Sequence, residues 1–468
     1  MKKLLGSTLA LAMFAAYSQA ANADTLLKNL TFNGKVDVQA VSANNVTDFN
    51  TAKYDQIGDA QTRVQLNAGW DLLDNVHAMA SVVNNNSEYG NANHGGGSVL
   101  NTTNVQGQPL VGTTGLLGNT FLTQAYLKID KLFGALDTTI GRQYYGNPGD
   151  LVVYYGPQDN IYGLAVNALD AFRFDWSNDM VGVTGVVGKT NATVNTIGNN
   201  SEVGATDLRG INVVAKGNEM YNGGVYVYNQ VGHLSTAGNP PVANDNLWVA
   251  GLRGKYMMQG ATLGAEFDKN FGEHRVVGVY PAETDTNYDG WALKVDLGYK
   301  ADLAAASVSP WAEFTDLSGG KGYNNFFTPI NTDYRPGGIY GLFAGYANAE
   351  AQLGGDNVGL GQIGNQVIWG IGVKTTPAAL SKLTAGIAYW DYRYQTVAGE
   401  TLQTLGNHGK GNTHIGSEID LTGSWAESDN VSINGALGTF QPGGAIANLN
   451  AGPVRPAFLA STSVSVKF

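Results

Sequence analysis

The final stretch, Ala457-Phe-Leu-Ala-Ser-Thr-Ser-Val-Ser-Val-Lys-Phe468, narrows the fold more than any other part of the chain. With a period of two, Phe458, Ala460, Thr462, Val464, Val466 and Phe468 share one face, and Leu459, Ser461, Ser463, Ser465 and Lys467 share the other. Chain ends usually fray, so a well-alternating strand at the last residue needs a partner. A closed barrel supplies one, because its last strand pairs with its first and leaves no edge. The competing reading is the edge strand of a soluble β-sandwich.

Composition favours the barrel. The chain has 468 residues, of which 43% are hydrophobic and only 14% charged, with 63 Gly and 23 Tyr. After the first thirty positions no apolar run reaches the ~18 residues of a transmembrane helix. Transmembrane strands hide their apolar content by alternating it with polar residues. The chain has no Cys, which removes disulfides, thiolate nucleophiles and cysteine metal sites. A net charge of -11 argues against nucleic acid as a partner. The terminal Phe468 resembles the closing-strand signature of bacterial outer-membrane barrels.

Met1-Lys-Lys-Leu-Leu-Gly, an apolar run through Tyr17, and Ala21-Asn-Ala23 read as a secretory signal over 1–23, cleaved before Asp24. From Leu30 onward, strands alternate with connectors that are in turn short and long. Short turns fall near Leu73–Asn75, Lys131–Ala135, Ser177–Asp179, Asn218–Asn222, Met257–Gly260, Ala301–Ala305, Pro377–Lys382 and Glu427–Asn430. Long loops lie between them, including Asn84–Asn119, Gly146–Ala168 and Asp316–Gln362. Short connectors on one side and long ones on the other mark outer-membrane barrels, with the short ones periplasmic. The count predicts an all-β, antiparallel up-and-down transmembrane barrel of about 18 strands over 24–468, or 16 if the glycine-broken stretches near Val181 and Gly223 are not strands. Trp291 with Tyr299, and Trp248 with Tyr256, bracket outward apolar rows as interfacial girdles do.

Motifs of other classes fail on context. Gly359-Leu-Gly-Gln-Ile-Gly364 has the dinucleotide fingerprint but lies in a glycine-rich loop rather than between a strand and a helix. His414 and Glu418 stand roughly 13 Å apart on an extended strand, too far for one ion. No cofactor and no metal is expected, and the chain reads as a non-enzyme. A hydrolase remains an alternative that needs a His–Ser–acid cluster on the barrel; a plugged structural or surface-binding barrel is another.

Two segments resemble the alginate-export family of outer-membrane channels. One comprises Ile140-Gly-Arg-Gln143, Gly149-Asp150 and Leu169-Asp-Ala-Phe-Arg-Phe-Asp-Trp176; the other comprises His414-Ile-Gly-Ser-Glu-Ile-Asp-Leu421 and Leu437-Gly-Thr-Phe-Gln-Pro-Gly-Gly444. The resemblance implies an 18-stranded barrel and passive passage of a hydrophilic solute. The chain departs from the alginate channel in charge, with 27 Lys and Arg against 38 Asp and Glu.

The sequence thus implies a monomeric channel in the outer membrane of a Gram-negative cell, in contact with lipid and lipopolysaccharide, passing small hydrophilic solutes, anions included. By strand parity the expected pore-lining residues are Arg173, Asp175, Lys294, Asp296, Glu418 and Asp420. Counting from Leu136, Thr138 and Ile140 puts Arg142 on the lipid side; its place in Gly141-Arg-Gln143 predicts a bulge near Gly141 that turns it inward beside Arg173. Phe326, Phe327, Tyr334, Phe343 and Tyr346 make the longest connector more aromatic than a solvated loop requires, which fits a loop that folds inward and narrows the pore or a flap that packs on other loops outside, with a short helix available over 341–353.

Overall fold

Alternation of lipid-facing apolar and inward polar residues builds one antiparallel sheet that closes on itself. A computed structural model describes residues 28–46, 56–86, 120–157, 164, 166–191, 206–217, 220–232, 245–274, 286–319, 325–340, 364–396, 412–449 and 454–468. The expected signal segment, the tip of the first long loop, Phe343 and Tyr346, and the predicted helix lie outside these residues.

The spanning strands are β1 (Lys28–Asn44), β2 (Gln56–Leu73), β3 (Val76–Asn86), β4 (Thr120–Leu132), β5 (Leu136–Gln143), β6 (Leu169–Ser177), β7 (Val181–Asn191), β8 (Thr206–Ala215) and β9 (Tyr221–Gly232). They continue with β10 (Asp245–Met258), β11 (Ala261–His274), β12 (Trp291–Tyr299), β13 (Ala306–Leu317), β14 (Gln366–Pro377), β15 (Leu383–Tyr394), β16 (His414–Ala426), β17 (Val431–Pro442) and β18 (Ala457–Lys467). Each pairs antiparallel with the next, and the short pieces Thr286–Asn287 and Ala301–Asp302 extend the same sheet. The result is a closed 18-strand barrel. The glycine-broken stretches near Val181 and Gly223 are full strands, β7 and β9.

The seam is where the sequence put it. β18 pairs with β1 from Lys35↔Lys467 to Asn44↔Phe458. The Gly34 amide then donates to the Phe468 carbonyl at 2.9 Å, and the Phe468 amide donates back to Gly34 at 3.1 Å. Outward residues keep large apolar side chains exposed, among them Phe172, Leu252, Tyr256, Leu297 and Tyr299. In a soluble protein such a band would be an aggregation liability; on a barrel it is the lipid-facing surface.

The bulge expected at Gly141 is absent. β5 pairs with β4 in unbroken register from Ile129↔Thr138 to Ala125↔Arg142, and with β6 through Arg142↔Asp170 and Ile140↔Phe172. Directly opposed residues share a face, so Arg142 stands outside with Asp170, on the side of Ile140 and Phe172. Gly141 does have φ +123, where a Cβ would run into the Ala125 carbonyl, but this local twist inserts no extra residue.

Candidate functional site: two segments that fold into the lumen

Two connectors turn inward and join inside the barrel. The first follows β5. Gly146 and Gly149 have φ +81 and +83, which lets the chain reverse so that Tyr145-Gly146 pairs with Tyr154-Tyr155. Asp150 closes the turn by accepting the Asn147 amide at 2.8 Å and forms an ion pair with Arg253 of β10 at 3.0 Å. Tyr145 shares a hydroxyl hydrogen bond of 3.0 Å with Tyr228 of β9, and the Arg173 guanidinium of β6 lies 5.9 Å from the Tyr145 ring. Burial, and then the neighbouring Tyr228, push the Tyr145 phenol well above its usual range.

The second segment, 325–340, follows β13. It is fixed first at β11, where Asn270 donates to the Thr328 carbonyl at 3.0 Å and accepts the Thr328 amide at 2.7 Å. It then meets the first segment: the Ile330 and Asn331 amides donate to the Val152 carbonyl, and the Tyr154 amide donates to Asn331 at 2.7 Å. The Gly149 amide donates to Asp333 at 2.9 Å. Tyr334 next reaches the wall, donating to Glu313 of β13 at 2.6 Å and sharing a 2.8 Å hydrogen bond with Thr315. Lys294 Nζ of β12 sits 5.1 Å from the Tyr334 ring and 3.4 Å from both Asp296 and Glu313.

The segment ends on Glu418 of β16, which is 1% exposed. Gly338 and Ile339 donate their amides to Oε1 at 2.6 Å each, and Tyr340 donates to Oε2 at 2.9 Å. Asp420 accepts the Gly338 amide as well, at 3.1 Å. Gly337 has φ +77 and no room for a Cβ against Tyr392 and Glu418, so the backbone can lie on the carboxylate. The Tyr340 ring packs on Tyr392 and Phe440, with centroids 4.2 and 5.6 Å away. Burial pushes the Tyr334 and Tyr340 phenols far above their usual range, with the Glu313 charge adding to the shift at Tyr334.

Together the two segments touch walls from β6 to β17. Of the residues expected in the pore, Glu418 and Asp420 grip the second segment, Lys294 and Asp296 stand beside its Tyr334, and Arg173 and Asp175 flank the first segment at Tyr145. Arg173 Nη2 donates to Asp175 at 3.0 Å, and Thr184 donates to the same carboxylate at 2.7 Å. Phe327 and Tyr334 are buried in the second segment and Phe326 is half-buried. Sequence reasoning missed Asp150, Arg253, Asn270, Glu313 and Tyr392, which do the anchoring. One signal for the first segment was present, in the tyrosines and glycines of Tyr144-Tyr-Gly-Asn-Pro-Gly149.

The sequence raises two other chemistries, a metal site and a serine–histidine pair. Among the described residues no group of three or more metal-ligating side chains occurs. His414 pairs with Asp391 at 3.1 Å, away from Glu418, while Ser417 stands across the ladder from Asp391 rather than beside the imidazole. A nucleophile must reach its base, and among the described residues no serine hydrogen-bonds a histidine.

No family model and no curated protein matches the chain, so the resemblance to the alginate-export family gains no support. Solved structures do match over nearly its whole length. Pseudomonas aeruginosa OccK9 (OpdG) superposes with a TM-score of 0.55 at 10% identity, covering 95% of this chain and 100% of that one. Pseudomonas aeruginosa OccK8 (OprE) gives 0.52 at 10% identity, covering 95% and 99%. Pseudomonas aeruginosa OpdK, solved with vanillate, gives 0.52 at 10% identity, covering 94% and 99%. At this identity the likeness shows the fold: that of outer-membrane β-barrel porins.

Proposed function

We propose that the chain is an outer-membrane channel through which small hydrophilic solutes diffuse, and that segments 143–157 and 325–340 set its narrowest passage. The observation that carries this reading is the grip of Glu418, on the inward wall, on three consecutive amides of a connector. A loop lying outside the barrel would leave that carboxylate facing open lumen. The porin fold of the solved structures supports the same reading, and one of them was solved with a small organic solute. Outer-membrane residence follows from the exposed apolar band, the barrel being a monomer exported through the signal over 1–23.

The cations at the passage are paired with carboxylates. Arg173 meets Asp175, Arg253 meets Asp150, and Lys294 meets Asp296 and Glu313. With Arg142 outside, the expected Arg142–Arg173 pair cannot form, and Arg173 and Arg253 are each already paired with a carboxylate. Selectivity is therefore weak and set by size, with a mild preference for cations from the excess of carboxylates around Lys294. The test is single-channel recording in planar bilayers. Deleting Phe326–Gln352 is expected to raise conductance severalfold in a protein that still migrates as a folded barrel. An unchanged conductance in that folded variant removes the segment from the pathway, and no conductance in the parent overturns the channel.

A further inference from the structure

The outer face of β5 to β8 carries a row of charge that the channel does not use. Arg142, Asp170, Lys189 and Asp207 are directly opposed in the ladders of four neighbouring strands. Arg142 pairs with Asp170 at 2.7 Å and Lys189 with Asp207 at 2.9 Å, and both cations remain well exposed. Opposite Val187, one ladder step toward the apolar band, stands Arg209. It is exposed, it shares the outward parity of Ile211, and among the described residues it has no ion pair or hydrogen-bond partner. Val187 and Phe172 stand in the same ladder row and Ile211 one step below, and all three are more than half exposed.

The height of this row fixes what it meets. Met180, in the turn before β7, is exposed and marks the lower edge of the apolar surface. From Met180 to Lys189 the strand climbs about 30 Å at ~3.3 Å per residue, which a tilt of ~40° reduces to about 23 Å of height, close to the ~25 Å of a barrel's apolar band. Lys189 and Asp207 therefore lie at the headgroup level of the outer leaflet, and Arg209, about 5 Å lower, reaches that level with its long side chain. A guanidinium brought to that level without a carboxylate partner calls for an anion, and phosphate, the anion of the headgroup region, accepts its two parallel hydrogen bonds.

We propose that this face binds the phosphate headgroup of a phosphorylated glycolipid of the outer leaflet. Arg209 is its bidentate donor, Lys189 flanks it from the neighbouring strand, and the acyl chains run along Phe172, Val187 and Ile211. This rests on the reading of the chain as an outer-membrane barrel. The experiment reconstitutes the full chain into vesicles of phosphatidylcholine alone, with lipopolysaccharide, or with enzymatically dephosphorylated lipopolysaccharide. The readout is the temperature at which the heat-modifiable folded band is lost.

Phosphorylated lipopolysaccharide is expected to raise that temperature for the parent and the dephosphorylated form is not. Arg209→Gln with Lys189→Gln is expected to lose the increment, Arg209→Lys to retain part of it, and Lys382→Gln, at a periplasmic turn, to keep all of it. Equal protection by both lipopolysaccharides, or by free inorganic phosphate, overturns the proposal, as does full protection of the Arg209→Gln, Lys189→Gln variant. Failure to form a folded band in phosphatidylcholine alone speaks against the barrel reading instead.

Discussion

Ile339 donates its amide to the Glu418 carboxylate at 2.6 Å, joining the middle of a connector to the inner wall of a strand 79 residues further along the chain. The amides of Gly338 and Tyr340 share the same acceptor, so one side chain satisfies three consecutive donors, two of which would otherwise be buried unmet. Glu418→Gln keeps acceptor capacity but loses the charge, which weakens the grip by roughly 1–3 kcal/mol. Glu418→Ala leaves the Ile339 and Tyr340 amides unmet, with Gly338 still held by Asp420. Both variants are expected to raise single-channel conductance and current noise, alanine more than glutamine, with heat-modifiable migration as in the parent. Parent-like currents from a folded Glu418→Ala barrel would show that the segment is held elsewhere.

The seam makes an assembly prediction. Gly34 and Phe468 exchange two backbone hydrogen bonds, and a Cβ on Gly34 would approach both the Phe468 ring and the Gln65 carbonyl to 2.6 Å. Gly34→Val is therefore expected to push the last residue off the first strand, as is deletion of Phe468. Outer-membrane levels of either variant, measured against total expressed protein, are expected to fall. Normal levels of both would mean that closure does not depend on this final pair.

What the sequence made legible follows from what lipid requires. A strand with hydrocarbon on one side must alternate, so strand number, the outward rows of Trp248 and Trp291, and the β1–β18 seam could be read from a period of two. The inward segments could not, because their anchors join residues distant in the chain: Asn270 with Thr328, Asp150 with Arg253, Tyr334 with Glu313. The aromatic content of Asp316–Gln362 announced that the connector was not a solvated loop, without saying which wall it meets. Arg142 follows the alternation of Leu136, Thr138 and Ile140 and stands outside; the Gly141-Arg-Gln143 motif pointed inward only through a bulge that the ladder lacks.

That placement separates two arginines with the same chemistry. Arg173 faces the lumen and pairs with Asp175, whereas Arg142 faces outward and pairs with Asp170. Arg173→Gln leaves the Asp175 carboxylate without its cation beside the narrow passage, so the reversal potential under a salt gradient is expected to move toward cations. Arg142→Gln is expected to leave it unmoved. A shift in the second variant as large as in the first would put Arg142 back in the pore.

Alkali gives a last test of the crossing segment, through two phenols. Tyr334 and Tyr340 are buried on folding, which raises both phenols, and Glu313 raises Tyr334 further. A group whose value is higher in the folded state contributes stability that is whole below its unfolded value, about 10 for tyrosine, and is lost as pH rises toward the folded value. Conductance is therefore expected to be flat through neutral pH and to climb above roughly pH 10 as the segment lets go. The Tyr340 hydroxyl is buried without a hydrogen-bond partner among the described residues, so Tyr340→Phe removes an ionisable group at little cost to packing. Tyr334→Phe also removes the hydrogen bonds to Glu313 and Thr315, and is expected to loosen the segment modestly at neutral pH. The double variant is expected to lose most of the alkaline rise in conductance while folded migration persists. A rise of the parent's size in the double variant would assign the alkaline opening to other groups.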